Sequence, residues 1–499
     1  MTTATHELAD GTRVSEANHA FLTRGTVPHV IDGADVLSRA GGERDVLNPS
    51  TGGKVATATS GDESDVDLAV GAARAAFDDG RWRSMPPAGR QQRLLRLADL
   101  IDAHAATLGE LDTLDAGILR RWADYVAQYS ATSLRYFAGW TDKLSGALPP
   151  TGPEYVVQER ILPVGVVAVI KPWNGPAAIF AQAAPALAVG NSVIVKPAEH
   201  TPLSATLLGR LALEADIPPG VLNIVHGDGL VGAALVAHPG VDRLSFTGSV
   251  ATGRRIAETA ARTFKRANLE LGGKSPVIVY DDADLDLAAE AATRAVWNNS
   301  GQVCTAGSRT LVQRTIYDEF VARAVAVSQG LRVGDAFADS TDLGPLVTAD
   351  QLAKVREYVE LGRQEGAEVV YEGSVDATAG GNYQAPVIFA GVRNDMTIAR
   401  EEIFGPVMSV IPFDDEAEAL RLANETEYGL AAGVFTRDIG RAQRAADALD
   451  VGTVWTNCYQ VTDAAVSFGG AKSSGYGRSL GRPALDEYTR RKSVWSKTY

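Results

Sequence analysis

Between residues 65 and 78 the apolar positions Val66, Ala69, Val70, Ala73 and Phe77 recur at helical spacing, which predicts an amphipathic helix with Asp65 as its cap and Gly80 just past its end. A second helix is predicted from about Pro87, with Leu94, Leu97, Ala98 and Ile101 on one face. A third is predicted from Trp122, where the stripe Val126, Tyr129, Ser133, Phe137 and Trp140 reads as core. Pro149, Pro150 and Pro153 break this rhythm, and residues 155–162 (YVVQERIL) read as an exposed extended ribbon suited to pairing with another subunit. The pattern then changes to short β-branched runs separated by helices: VGVVAVI (164–170), a helix from Pro176, SVIVK (192–196), a helix from Thr201, VLNIV (221–225), a short helix, RLSF (243–246) and a helix from Val250. Such runs belong to a parallel sheet covered on both faces. A second series follows: PVIVY (276–280), a helix over 283–298, RTLVQ (309–313), helices near 316–330 and 349–365, VMSVI (407–411) and GLAAGVF (429–435). The two units are expected to meet at Gly272-Gly273 and, lacking a linker, to pack closely.

Composition narrows the class. At 499 residues the chain is long enough for about three structural units at roughly 150 residues each. Its 61 acidic against 47 basic residues give a formal charge of −14, which argues against nucleic acid or anionic membrane as a partner. No apolar run reaches the ~18 residues of a membrane span, and the first twenty residues lack the pattern of a secretory signal. A soluble, cytoplasmic protein is expected. Cys304 and Cys458 do not form a disulfide framework, and the histidines lack metal-ligand spacing, so no metal site is expected.

Several stretches could carry chemistry. Cys304 lies in GQVCTAG (301–307), a thiol between glycines, although a lone cysteine is more often a small core residue. Gly227-Asp228-Gly229-Leu230-Val231-Gly232 is a literal G-x-G-x-x-G, yet no strand ending in an acidic residue follows about 20 residues later. In SFTGSVATG (245–253), Gly248 permits close backbone approach and Ser249 sits at a helix N-terminus, where free N–H groups suit a phosphate. Lys196 and Glu199, at a strand's C-terminal end, could hold ribose hydroxyls, or could equally be a solvated pair. Asn174 in PWNGP (172–176) is read as lying at the positive end of the helix from Pro176, its amide free to donate to an oxyanion. Glu270 in NLELGG (268–273) is read as a carboxylate on an apolar strand, raised towards the pKa of a general base; the alternative is an edge-strand Glu facing water.

Taken together, PWN, KPAE, FTGS, LELGGK, GQVCTAGSR, EEIFGPV (401–407) and FGGAKSSGYGR (468–478) occur in the order and approximate spacing of the NAD(P)-dependent aldehyde dehydrogenases. The resemblance covers nearly the whole chain after the first ~20 residues. It implies an α/β fold with a Rossmann-like cofactor domain (1–143 and 162–272, with 474–488), an α/β catalytic domain (273–473) and a small β oligomerisation ribbon (144–161 and 489–499). It also implies a homodimer or homotetramer. Carried over residue by residue, it makes Cys304 the nucleophile, Asn174 and the Cys304 amide the oxyanion donors, and Glu270 the base that activates water to hydrolyse a thioester. The implied cofactor is NAD, with NADP admitted. Lys196 and Glu199 would contact the adenosine ribose, Ser249 the pyrophosphate, and Glu402 and Phe404 the nicotinamide end; Ile170, Trp173, Gly229, Phe246, Gly248 and Leu271 complete that set.

The chain departs from the resemblance in two places. Ser479 stands where the family commonly has Glu, and a lysine common in the helix after PWN is absent from 178–187. In relatives these two side chains can relay protons, so Glu270 is expected to work through solvent or another route, with deacylation a candidate slow step. Around the thiol, Gly175, Asn298, Val303, Thr305, Gln460, Thr462 and Phe468 predict a wide, polar pocket for bulky, aromatic or oxygenated aldehydes. A CoA-acylating aldehyde dehydrogenase and a cofactor-independent thiol hydrolase are the alternative readings.

Overall fold

The computed structural model describes residues 5–376 and 380–498; residues 1–4 and 499, in the first and last assigned ranges, and 377–379, in the 273–473 range, lie outside the described residues. The tail that the resemblance leaves out is built from Thr5 onward as a hairpin (Thr5–Glu7 with Arg13–Ser15) and a helix, Glu16–Thr23. The Glu110 carboxylate ties it down by accepting from the Ser15 amide at 3.0 Å and the Asn18 side-chain amide at 2.5 Å.

Among the described residues the first large sheet has eight strands, and its parallel part runs Arg266–Glu270, Arg243–Thr247, Val166–Ile170, Ser192–Lys196, Leu222–Ile224. The chain starts this parallel part in the middle at Val166–Ile170, moves out one way, then returns to fill the other side. That reversal leaves a crevice at the C-terminal ends of the central strands. The Gly475–Tyr476 strand covers the outer edge, antiparallel to Arg266–Glu270, so that edge is not exposed to solvent. The second large sheet has seven strands in the order 368–372, 387–390, 407–413, 309–313, 276–279, 431–435, 453–456, parallel except for the first pair. The ribbon Tyr155–Pro163 pairs antiparallel with the C-terminal strand Thr489–Lys497, from Tyr155 opposite Lys497 to Pro163 opposite Thr489. Among the described residues no helix is long and apolar enough to cross a membrane.

Four local expectations are corrected. The first amphipathic helix spans Glu63–Asp78 and is capped by Asp62; Asp65, three positions in, accepts from the Asp62 amide at 3.2 Å to close a capping box. The helix predicted from Pro176 starts at Phe180. Its first turn is pre-empted, because the Ala177 amide donates to Asp112 and the Ala177 carbonyl accepts from Ser130, so residues 176–179 form a turn instead. The aromatic stripe of Arg120–Ala138 is only partly core: Phe137 is fully buried, Tyr129 and Trp140 are half-buried, and Trp122 is exposed. Finally, the helix Ala105–Ala116 went unpredicted because nine of its twelve residues are buried, Asp112 and Asp115 among them, which leaves no polar face for a periodicity to mark.

Candidate active site

The loop that carries Cys304 follows helix Leu285–Trp297 and precedes strand Arg309–Gln313. Asn299, Ser300 and Gly301 have positive φ, so the chain turns sharply into the loop. Only glycine fits at Gly301, where a Cβ would fall on the Gly405 carbonyl; this brings the EEIFGPV segment against the thiol loop. Gly273 does the same from the other side, since a Cβ there would stand 2.6 Å from the Cys304 carbonyl. Two glycines therefore let three sequence-distant segments close on one thiol.

Asn174 lies in a bend, four residues past the end of strand Val166–Ile170 and not at a helix terminus as predicted. It is still beside the thiol: its Nδ2 donates to the Gln302 carbonyl at 2.9 Å, two residues before Cys304. Gln302 is itself fixed, its side chain accepting from the Val347 amide at 2.9 Å and donating to the Asn299 carbonyl at 3.1 Å. The oxyanion donor proposed from sequence is thus held by a loop contact, with its second N–H free.

Glu270 ends the strand Arg266–Glu270 and is 5% exposed, which excludes a water-facing edge residue. Among the described residues no full hydrogen bond reaches either carboxylate oxygen, and Ser479 is the donor that comes nearest to making one. Burial pushes the group up to about 8, against the opposing pull of Ser479, Arg478 and Lys171. Ser479 faces it with a hydroxyl that accepts from Asn268 at 3.2 Å, while its amide donates to the Phe468 carbonyl at 2.7 Å. Cys304 keeps some solvent contact, yet its surroundings are dry: burial first, then Glu402 and Glu270, pushes the thiol up to about 12. The resting sulfur is therefore protonated, and attack requires that proton to leave.

The cofactor candidates gather at the crevice. Lys196 ends strand Ser192–Lys196, is 4% exposed, and meets Glu199 at 3.4 Å; the pair is no solvated surface bridge. Burial works to raise Glu199, but Lys196 holds it below its ordinary range. Gly229 opens helix Gly229–Ala237, and an added Cβ there would meet nothing within 4 Å. At Gly248 a Cβ would strike the Phe246 ring. Ser249 caps helix Val250–Ala261, its hydroxyl accepting from the Thr252 amide at 3.3 Å, and this exposed N-terminus faces outward. Ile170 and Leu271 are buried at their strand ends. Glu402 accepts from the Gly273 amide at 3.1 Å, and Trp173 and Phe404 meet edge to face with ring centroids 5.3 Å apart. A buried cation beside a carboxylate, an open helix N-terminus and an aromatic wall fit a dinucleotide laid across the crevice.

Of the pocket candidates, Gly175 has only Ala178 and Val126 near an added Cβ, both at 3.9 Å, so a Cβ there would make ordinary contact. Asn298 donates to Gln460 at 3.2 Å, and Gln460 donates to the Ala295 carbonyl at 3.1 Å, so both side chains are tied to the loop. Val303 and Thr305 flank the thiol, Phe468 is half-buried and bridged to Ser479, and Thr462 faces Tyr129. Sequence reading missed Tyr129 and Tyr459, both of which face Cys304, and Lys171 with Gln182. For Lys171 the position after an apolar strand was no signal by itself, since a lysine at a strand end can equally reach solvent. Among the described residues no cluster of His, Cys, Asp or Glu has the makings of a metal site.

An α/β protein with a thiol, an amide and a buried carboxylate at the mouth of a dinucleotide crevice defines a class. A profile of the aldehyde dehydrogenase family matches residues 37–494, and the chain belongs to that family. It is 46% identical over 461 residues to the mitochondrial aldehyde dehydrogenase of Homo sapiens, covering 90% of this chain and 88% of that one. It is 44% identical over 470 residues to the mitochondrial benzaldehyde dehydrogenase of Antirrhinum majus, covering 93% and 88%. The NAD+ complex of an aldehyde dehydrogenase from Bacillus cereus superposes with a TM-score of 0.95 at 41% identity, covering 97% of this chain and 99% of that one.

Proposed function

We propose that this aldehyde dehydrogenase oxidises its substrate to the carboxylic acid through a thioester on Cys304, with Asn174 and Glu270 as the other two catalytic groups. The observation that carries this reading is the convergence of a buried carboxylate with two unused oxygens, a side-chain amide on the thiol loop and the thiol itself. Once the thiol proton has passed to solvent water, sulfur attacks the carbonyl carbon, the C=O π bond opens, and the new oxyanion is held by the free Asn174 N–H and the Cys304 amide. NAD, held by Lys196, Glu199, the Ser249 helix terminus and Glu402 with Phe404, supplies the hydride acceptor that leaves a thioester behind. Glu270 then takes a proton from water, whose oxygen bonds to the acyl carbon as the C–S bond breaks, and the carboxylic acid departs.

The reading extends to organisation and substrate. Residues 1–143 and 162–272 with 474–488 form the NAD-binding domain, 273–473 the catalytic domain, and 144–161 with 489–499 the ribbon of a homodimer or homotetramer; the cytoplasm is the proposed location. The absence of a side chain at Gly175 favours a bulky or aromatic aldehyde, and one relative is named for benzaldehyde. NADH and NADPH formation is measured over a panel of acetaldehyde, hexanal and benzaldehyde. NAD-dependent oxidation is expected, with kcat/KM higher for benzaldehyde than for acetaldehyde, and Cys304→Ala is expected to abolish it. A preference for acetaldehyde refutes the substrate class; turnover by C304A refutes the mechanism.

A further inference from the structure

Lys171 is the residue directly after strand Val166–Ile170, and its position on the sheet can be read from the register. Ile170 pairs with Phe246, and Thr247 pairs with Glu270. One step beyond Ile170, Lys171 is level with Thr247 and therefore with Glu270, and in parallel strands such a row projects to one face. That face is covered by helix Phe180–Ala188, which carries no lysine but supplies Gln182. The Lys171 Nζ donates to Gln182 Oε1 at 2.7 Å, with both residues buried. Among the described residues this is the ammonium's one hydrogen bond, so two of its three donors are unused, in the same row as a carboxylate whose two oxygens are also unused.

Such a cation is costly to bury unless it has work to do. Burial pushes Lys171 down to about 8, and the groups that oppose this are Cys304 and Glu270. Other groups face the carboxylate as well: Arg478 and Ser479 from the C-terminal segment, Tyr488 after the last helix, and Cys304 from the thiol loop, where Glu402 also acts. Arg478 is half-exposed, with its guanidinium donating to the Gly469 carbonyl at 2.8 Å, so water screens it. Lys171 is not screened.

We propose that Lys171 is a positioning residue for Glu270: anchored by Gln182, its ammonium favours the ionised carboxylate for water activation and so sets the pH range in which the thioester is hydrolysed. The inference rests on the reading of Glu270 as the base. Removing the positive charge raises the pH at which Glu270 ionises, so hydrolysis slows at neutral pH and recovers in alkali.

The test isolates deacylation without cofactor. Cys304 is acylated with p-nitrophenyl acetate, excess ester is removed, and decay of the acyl-enzyme is followed by intact-protein mass spectrometry from about pH 6 to about pH 10. Lys171→Met is expected to slow decay about tenfold at pH 7 and to move the midpoint up by about one pH unit, as for any group that loses a buried neighbouring charge. The exchange variant Lys171→Gln with Gln182→Lys, which returns the cation from the helix side, is expected to bring the midpoint back. Thermal melting identifies any variant that fails to fold, and the exchange variant, which keeps both groups, then decides alone. An unmoved midpoint in K171M overturns the proposal, as does a midpoint in the exchange variant that stays with K171M, or a full shift carried by Arg478→Met instead. If Glu270→Gln decays like the wild type, it is the base assignment that fails.

Discussion

At the residue scale the site is an arrangement of side chains whose ordinary chemistry would be dull in water. A thiol pushed up to about 12 is a poor nucleophile at rest, and a carboxyl pushed up to about 8 is only partly ionised at neutral pH. Both shifts arise mainly from burial, so the same dry environment that handicaps the resting groups strengthens each hydrogen bond made to a developing charge. Asn174 should show this most directly. Asn174→Ala removes the side-chain donor without disturbing Gln302, which has other partners. A loss of about 10²–10³-fold in kcat with little change in NAD affinity is expected. Stopped-flow NADH formation with fluorescence titration of NAD tests it, and a variant within threefold of wild type would remove Asn174 from the oxyanion site.

The elements that carry the site are held by buried polar contacts rather than by their own propensities. The Ala105–Ala116 helix illustrates this: Asp112 accepts from the Ala177 amide at 3.0 Å and Asp115 from the Leu203 amide at 3.1 Å, so one helix fixes the segment after Asn174 and the start of helix Leu203–Glu214. Burial pushes Asp112 up to about 7, and burial with Asp112 as neighbour drives Asp115 the same way. The folded protein therefore holds protons that the unfolded chain releases near pH 4. This contribution to stability is complete below about pH 4 and fades as pH rises through about 7. Asp112→Asn keeps the acceptor, never ionises, and can turn its amide to Ser204. Its melting temperature should equal that of the wild type near pH 4 and exceed it by about 2–4 °C near pH 8. Calorimetry at the two pH values is the check, and a lower melting temperature at both would assign the carboxylate a role the neutral amide cannot fill.

At the scale of the whole molecule, the ribbon leaves three large apolar side chains open to solvent. Tyr155, Val156 and Trp495 are 40%, 48% and 62% exposed, and Tyr155 and Trp495 stack edge to face at 5.9 Å. A two-stranded ribbon carrying such side chains is marginal alone and gains most from a second copy. Val156→Glu with Trp495→Glu should reduce the oligomer by at least half its mass in light scattering after size exclusion, while each subunit keeps its fold; an unchanged mass would place the interface elsewhere.

The sequence alone determined what is local or periodic. Alternation of β-branched runs with helices marked the central strands of both sheets, because side-chain period reflects burial of each strand, while strands such as 29–31, 368–372 and 453–456 went unread. The ordered motifs led to the thiol, the amide and the carboxylate by number, although the site roles drawn from them still await the variants above. Single residues such as Lys196 and Glu270 looked equally at home on a surface, since burial depends on what covers a strand end, and that cover comes from segments such as 474–476, more than 200 residues away. Pro176 read as a helix start because propensity counts only neighbours in the chain; Asp112 and Ser130, far upstream, claimed those backbone groups first. The pairing of Lys171 with Gln182, and its place in the row of Glu270, depended on the register of three strands and on the helix laid across them. Periodicity along one strand says which side a residue faces, but only strand pairing says which residues face it together.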